Sequence, residues 1–205
     1  MRTLPIGLDV NQRSALVVGT SAEVISKIDR LLDAGARVTV IAADDPGEAI
    51  TARAAAGRIT LLRREVEDAD LEGHAIVFVA PFTTPAQEVR ARRWHAEATR
   101  AGRLLSVIDR PEASTCVSFA IARTPGLTLT IGTEGVSPGL ARRVREDLEA
   151  LFADPRFSRF VASLAALRQR LPRGERAARM AAAVEGFAIE ASLRFPAWLH
   201  DKDDP

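Results

Sequence analysis

The sequence is short of several residue types. In 205 residues there is one cysteine, Cys116, with three histidines and aromatics at only 5%. A single thiol excludes an internal disulfide and a cysteine cage for a metal. His74, His95 and His200 do not stand at metal-ligand spacing, so no resident metal site is predicted. Lysine is nearly missing: all 28 basic residues except Lys27 and Lys202 are arginine. Guanidinium groups bind carboxylates in a planar, two-pronged way, although genome composition produces the same bias. No apolar run approaches the ~20 residues of a membrane span. The N-terminal MRTLPIGLDV lacks the apolar core and cleavage pattern of a signal peptide, so a cytoplasmic address is expected. A formal net charge of +1 gives no global attraction to nucleic acid or anionic membrane.

What is present is an alternation of strand and helix patterns. With 47% hydrophobic residues the chain can build one or two small cores. The run Ala15–Val18 rises into Gly19, and Val24, Ile28, Leu31 and Leu32 follow at helical spacing. RVTVIA, RITLL, AIVFVA and RLLSVID read as four further strands, with helices expected over Pro46 to Ala56 and Pro85 to Ala101. This order predicts a Rossmann-like parallel α/β sheet over residues 1–111. After Pro111 the pattern changes. CVSFAIA and LTLTIGT, joined at Pro125-Gly126, predict a small β segment over 112–151 that includes a helix starting at Ser137-Pro138. Residues 152–205 predict a helical domain, with helices over Phe157 to Leu171 and Glu175 to about Ala191. Its apolar stripes exceed what short helices bury alone, so a homodimer is expected.

Five segments carry a family resemblance. LPIGLDV, ALVVG…LLDAGARVTVIA, AAAGRITLL, LLSVIDRPE and above all LTLTIGTEGVSPGLARRVREDLEALF are similar to the N-terminal module of siroheme synthase and its free-standing form, precorrin-2 dehydrogenase/sirohydrochlorin ferrochelatase. The resemblance implies a homodimer with a Rossmann domain, a dimerisation segment and a helical domain. It implies NAD-dependent oxidation of precorrin-2 to sirohydrochlorin, insertion of ferrous iron as a substrate, or both. The family's acid/base aspartate falls on Asp109, in SVIDRP. A carboxylate there can take protons in either reaction; read without the family, Asp109 is a turn or capping residue before Pro111.

Other positions follow from the same resemblance. Gly19, Thr20 and Ser21 align with three family glycines of the dinucleotide loop and Thr83 with the nicotinamide-lining segment, while Asp44, with Asp45, stands a few residues later than the ribose-binding acid expected at the end of the second strand. Thr133, Gly135, Ser137 and Arg142 align with a substrate-binding turn and helix, where free N–H groups attract carboxylates. The chain also departs from the pattern. Thr20 resists a positive φ, Glu23 repels a pyrophosphate at a helix N-terminus, Phe82 fills cofactor space, and Glu134 opposes an anion. Three readings stay open: a siroheme-branch dehydrogenase with or without ferrochelation, an NAD-independent metallochelatase, and a non-catalytic tetrapyrrole-binding paralogue. A generic NAD dehydrogenase of small alcohols lacks its catalytic phenol, since the chain contains no tyrosine.

Overall fold

A computed structural model describes residues 3–81 and 83–200. Five short strands, β1 (Ser14–Val18), β2 (Arg37–Ile41), β3 (Ile59–Leu62), β4 (Ile76–Val79) and β5 (Leu105–Val107), form one sheet in the order β3-β2-β1-β4-β5. Every neighbouring pair is parallel; Val18, for example, stands level with Ile41 on one side and Val79 on the other. Strand order reverses between β1 and β4, so their carboxyl ends open a crevice there.

Helices α1 (Ala22–Asp33), α2 (Gly47–Ala55) and α3 (Pro85–Ala101) supply the crossovers. Their apolar stripes explain which side each covers. Val24, Ile28 and Leu31 of α1 and Ile50 of α2 pack with Val17, Val38, Val40 and Phe78 in one core. Ala91, Trp94 and Ala98 of α3 pack with Leu16, Ile41, Val77, Val79, Leu105 and Val107 in a second core. α3 is closed at both ends as its sequence dictates. Thr84 accepts from the Gln87 N–H in a reciprocal capping box, and Gly102 takes the left-handed conformation that ends the helix.

The chain divides into two compact units, residues 1–122 with 129–146, and residues 123–128 with 147–205. Strands β6 (Ala120–Thr124) and β7 (Leu127–Ile131) make a separate two-stranded sheet around the expected Pro125-Gly126 turn. The strand expected from Cys116 begins only at Ala120. Residues 115 and 116 instead donate their N–H groups to the Leu105 carbonyl at the open edge of β5. Then come α4 (Pro138–Leu151), α5 (Pro155–Arg170), α6 (Arg176–Ala183) and a last short turn, α7 (Ala197–His200). The helix expected to reach Ala191 stops at Ala183. Gly186 takes φ +81°, and the Phe187 ring turns back onto Phe160, 5.3 Å between centroids, and Phe157, 6.1 Å. These two ring contacts, made by a Phe187 that stays half exposed, take the place of two further turns of exposed helix.

Candidate active site

The carboxyl ends of four strands line a cleft that is open to solvent. Gly19 follows β1, Asp44 follows β2, Arg64 and Val66 follow β3, and Ala80 and Pro81 follow β4; Gln87, Arg90 and Trp94 of α3 close the far wall. Gly19 is required by close packing. Its φ is +103°, its N–H donates to the Ile41 carbonyl at 2.9 Å, and a Cβ there would lie 2.4 Å from the Ala80 Cβ. The expected acid, Asp44, reaches the cleft wall although it stands three residues past the end of β2.

The wall from β3 and α3 was not legible in any local motif. Arg64 grips Asp70 with two bonds of 2.7 and 2.6 Å, which holds the Asp70 carboxyl below the usual carboxylate range. Trp94 is buried and donates Nε1–H to Asp68 at 2.7 Å, and the Arg90 guanidinium lies 5.8 Å from its ring centroid. Only the strand order brings these residues together. The signal available beforehand was the general rule that such sheets bind ligands at this edge.

At the N-terminus of α1, Ser21 stands at the capping position but its side chain caps nothing, and its buried Oγ makes no hydrogen bond of good geometry. Glu23 occupies this end instead. Its carboxyl is held below the ordinary range first by its own backbone N–H and then by the nearby Ser21 hydroxyl. Thr20 is half-buried beside them, and Phe82 lies outside the described residues. Thr83 is exposed and bonded to Gln87 Oε1 through both its N–H and its hydroxyl, so it extends the α3 cap. The residues present fit a nucleotide unevenly. The cleft, Gly19, Asp44 and the Trp94–Arg90 wall suit an adenosine moiety, whereas the α1 terminus, where a pyrophosphate would rest, carries its own acid.

Asp109 lies one residue beyond Ile108, whose N–H reaches the Val79 carbonyl. The Arg110 N–H bonds the Val107 carbonyl at 3.1 Å, and Asp109 has φ +60°. This is the pattern of a type II turn with a non-glycine residue at its third position, where glycine or asparagine is favoured. Buried Ser114 pins the turn: its Oγ accepts from the Val107 N–H at 2.8 Å and lies 2.8 Å from the Arg110 carbonyl. The Asp109 carboxylate is exposed and caps nothing among the described residues. An acid held in left-handed backbone at the carboxyl edge of a parallel sheet is a functional signal. It lies outside the cleft walls.

The remaining candidates form a second group. Thr133 Oγ1 bonds the backbone of Ser137, donating to its carbonyl at 3.1 Å, and Ser137 Oγ caps α4 by accepting from the Leu140 N–H at 3.1 Å. Glu134 and Gly135 both have positive φ, +52° and +88°, a backbone state that favours glycine. Arg142 is exposed and paired with Glu146 at 2.9 Å. These four sit together on one turn and its helix, away from the cleft walls. Among the described residues no group of three metal-ligating side chains occurs, and no helix is long and apolar enough to cross a membrane.

Burial pushes the Cys116 thiol up to about 11, and Lys27 opposes this only in part. The thiol is therefore expected to resist iodoacetamide at pH 8, reacting much more slowly than a free thiol, as a timed alkylation followed by mass spectrometry would show. Because the unfolded chain ionises first, near 9, this group withdraws stability as pH rises from about 9 to about 11.

Comparison with known proteins places this geometry. The family model described as "Putative NAD(P)-binding" matches residues 6–120. Siroheme synthase 1 of Aeromonas salmonicida is 38% identical over 152 residues, covering 74% of this chain and 31% of that protein. The siroheme synthase of Methylococcus capsulatus is 34% identical over 172 residues, covering 83% of this chain and 35% of that protein. The chain thus spans about a third of the length of these curated relatives. In fold it is similar to the solved structure of SirC, precorrin-2 dehydrogenase, with a TM-score of 0.71 and 22% identity over 90% of each chain. The chain therefore belongs to the putative NAD(P)-binding family, in the form that siroheme synthases carry as their N-terminal module.

Proposed function

We propose that this protein serves siroheme formation by oxidising precorrin-2 to sirohydrochlorin, with Asp109 as the proton acceptor. The observation that carries the reading is the Asp109 turn, an exposed carboxylate kept in a disfavoured backbone state by Ser114. Oxidation removes a hydride and a proton from the macrocycle. NAD+, when bound, takes the hydride; its adenosine half suits the cleft of Gly19, Asp44 and Trp94. Asp109 takes the proton. Thr133, Gly135, Ser137 and Arg142 are assigned to acidic arms of the tetrapyrrole, and Thr20, Ser21 and Thr83 to the rim of the cofactor site. Ferrous iron enters as a second substrate where the same carboxylate strips pyrrole N–H protons. A homodimer in the cytoplasm completes the reading, supported by Val136 and Leu140, which stand 84% and 54% exposed.

One observation favours a second reading, an NAD-independent metallochelatase: the Glu23 carboxylate at the α1 terminus repels a pyrophosphate. Calorimetric titration with NAD+ separates the two. Saturable binding is expected, and Glu23→Gln is expected to tighten it by about three- to tenfold at low salt, with a smaller gain at high salt. If neither form binds NAD+, the dehydrogenase reading fails. Iron insertion into sirohydrochlorin, followed by absorbance, then tests the second.

A further inference from the structure

Lys27 is the one lysine among the described residues of an otherwise arginine-bearing chain. It projects from α1 on the side of the sheet opposite Trp94, and its ammonium lies 5.5 Å from the centroid of the Phe78 ring, in a half-buried position. No hydrogen bond or ion pair holds it within the described residues. An ammonium carries three donors, and withdrawing them from water without an acceptor is costly. The aromatic face returns only part of that cost and accepts no N–H bond in the ordinary sense. Burial and the neighbouring Arg30 loosen the ammonium's hold on its proton, while Asp109 and then Cys116 act the other way. Cys116 is a neutral thiol below about 11, so it supplies no counter-charge at pH 7. Asp109 is the acid nearest in effect, yet it stays outside ion-pair distance.

We propose that Lys27 is a substrate-binding residue whose unpartnered ammonium takes one carboxylate arm of the tetrapyrrole and so sets the macrocycle beside Asp109. This rests on the siroheme reading above. It places the macrocycle on the α1 side of the sheet and the adenosine cleft on the α3 side, with Asp109 at the rim. A lysine suits the position because a compact ammonium fits over the Phe78 face, whereas a guanidinium fork needs a wider frame.

The test uses sirohydrochlorin as the probe. Lys27→Met is expected to weaken its binding, read from the pigment's absorbance, by about tenfold or more, the loss typical of a charged hydrogen bond. Lys27→Arg is expected to recover part of that loss, and neither variant should melt more than about 3 °C lower, since the half-buried ammonium makes no hydrogen bond or ion pair within the described residues that the fold would lose. Reductive methylation with ¹³C-formaldehyde gives a direct readout, because only two lysine signals arise and Lys202→Arg assigns them. The Lys27 signal should shift on adding sirohydrochlorin and the other should not. If the wild-type protein binds no sirohydrochlorin, the siroheme reading itself falls and this assignment with it. If it binds with the Lys27 signal unmoved, or Lys27→Met binds equally well, only the Lys27 assignment is overturned.

Discussion

Asp109→Asn is expected to cut precorrin-2 oxidation by about 10²- to 10⁴-fold, the contribution of a positioned proton acceptor, with the melting temperature almost unchanged. The two halves of that expectation come from different features. Asparagine keeps the size of the side chain and tolerates left-handed backbone as aspartate does, so the turn from Val107 to Arg110 should close as before. What it loses is the capacity to accept a proton. Asp109→Gly should be equally inactive and still fold. Relief of about 1 kcal/mol of left-handed strain is offset by a looser unfolded chain of similar cost. Asp109→Val should both inactivate and destabilise, because a β-branched residue at φ +60° is a true outlier. Stopped-time assays of sirohydrochlorin formation, paired with thermal melts of the three variants, check the set. A normal rate from Asp109→Asn would remove this carboxylate from the reaction.

Gly19→Ala should have the largest effect on the cleft at the carboxyl ends of the strands. A Cβ at this residue faces the Ala80 Cβ at 2.4 Å, and φ is +103°. Neither side can give way cheaply. The Gly19 N–H is bonded to Ile41, and the Ala80 N–H is bonded to Val18 at 2.8 Å, so both backbones belong to the sheet. Separating them means prising β1 from β4 where the crevice opens. Strain of about 1–3 kcal/mol adds to the clash, and a total loss of about 3–5 kcal/mol is at the upper end of single substitutions. Gly57→Ala is the control. Gly57 also has positive φ, +67°, but open space around the added methyl, so it should cost only about 1 kcal/mol. Urea unfolding measures both costs, and NAD+ titration of Gly19→Ala should show no saturable binding. Undiminished NAD+ affinity in that variant would mean that the crevice is not where the dinucleotide sits.

The sheet and its helices could be read from the residues because each signal was local. β-Branched runs such as RVTVI and the Val24, Ile28, Leu31 stripe each name their own element and buried side. The place of Gly19 and Asp44 at the carboxyl edge of the sheet was legible for the same reason, each lying just past a readable strand. The β3 and α3 wall was not, because Arg64, Arg90 and Trp94 become neighbours only when strands 3, 2, 1 and 4 line up. Nor did any residue announce the backbone state of Asp109, which depends on Ser114 reaching back across the turn. The short reach of α6 was hidden too. Its helical spacing continues past Ala183, but Phe187 finds two aromatic partners on α5 that a periodicity argument cannot see.

The second compact unit is not one stretch of chain. Residues 123–128 belong with 147–205, and Gly126, at φ +75°, leaves room for the Val161 side chain of α5, which an added Cβ would meet at 2.3 Å. A gene fused or split at any border between residues 129 and 146 therefore hands over the helices without the loop they close upon. Helices and hairpin have to be inherited together, and a helical tail exchanged between relatives would carry its fit to the donor's loop into a recipient shaped for another.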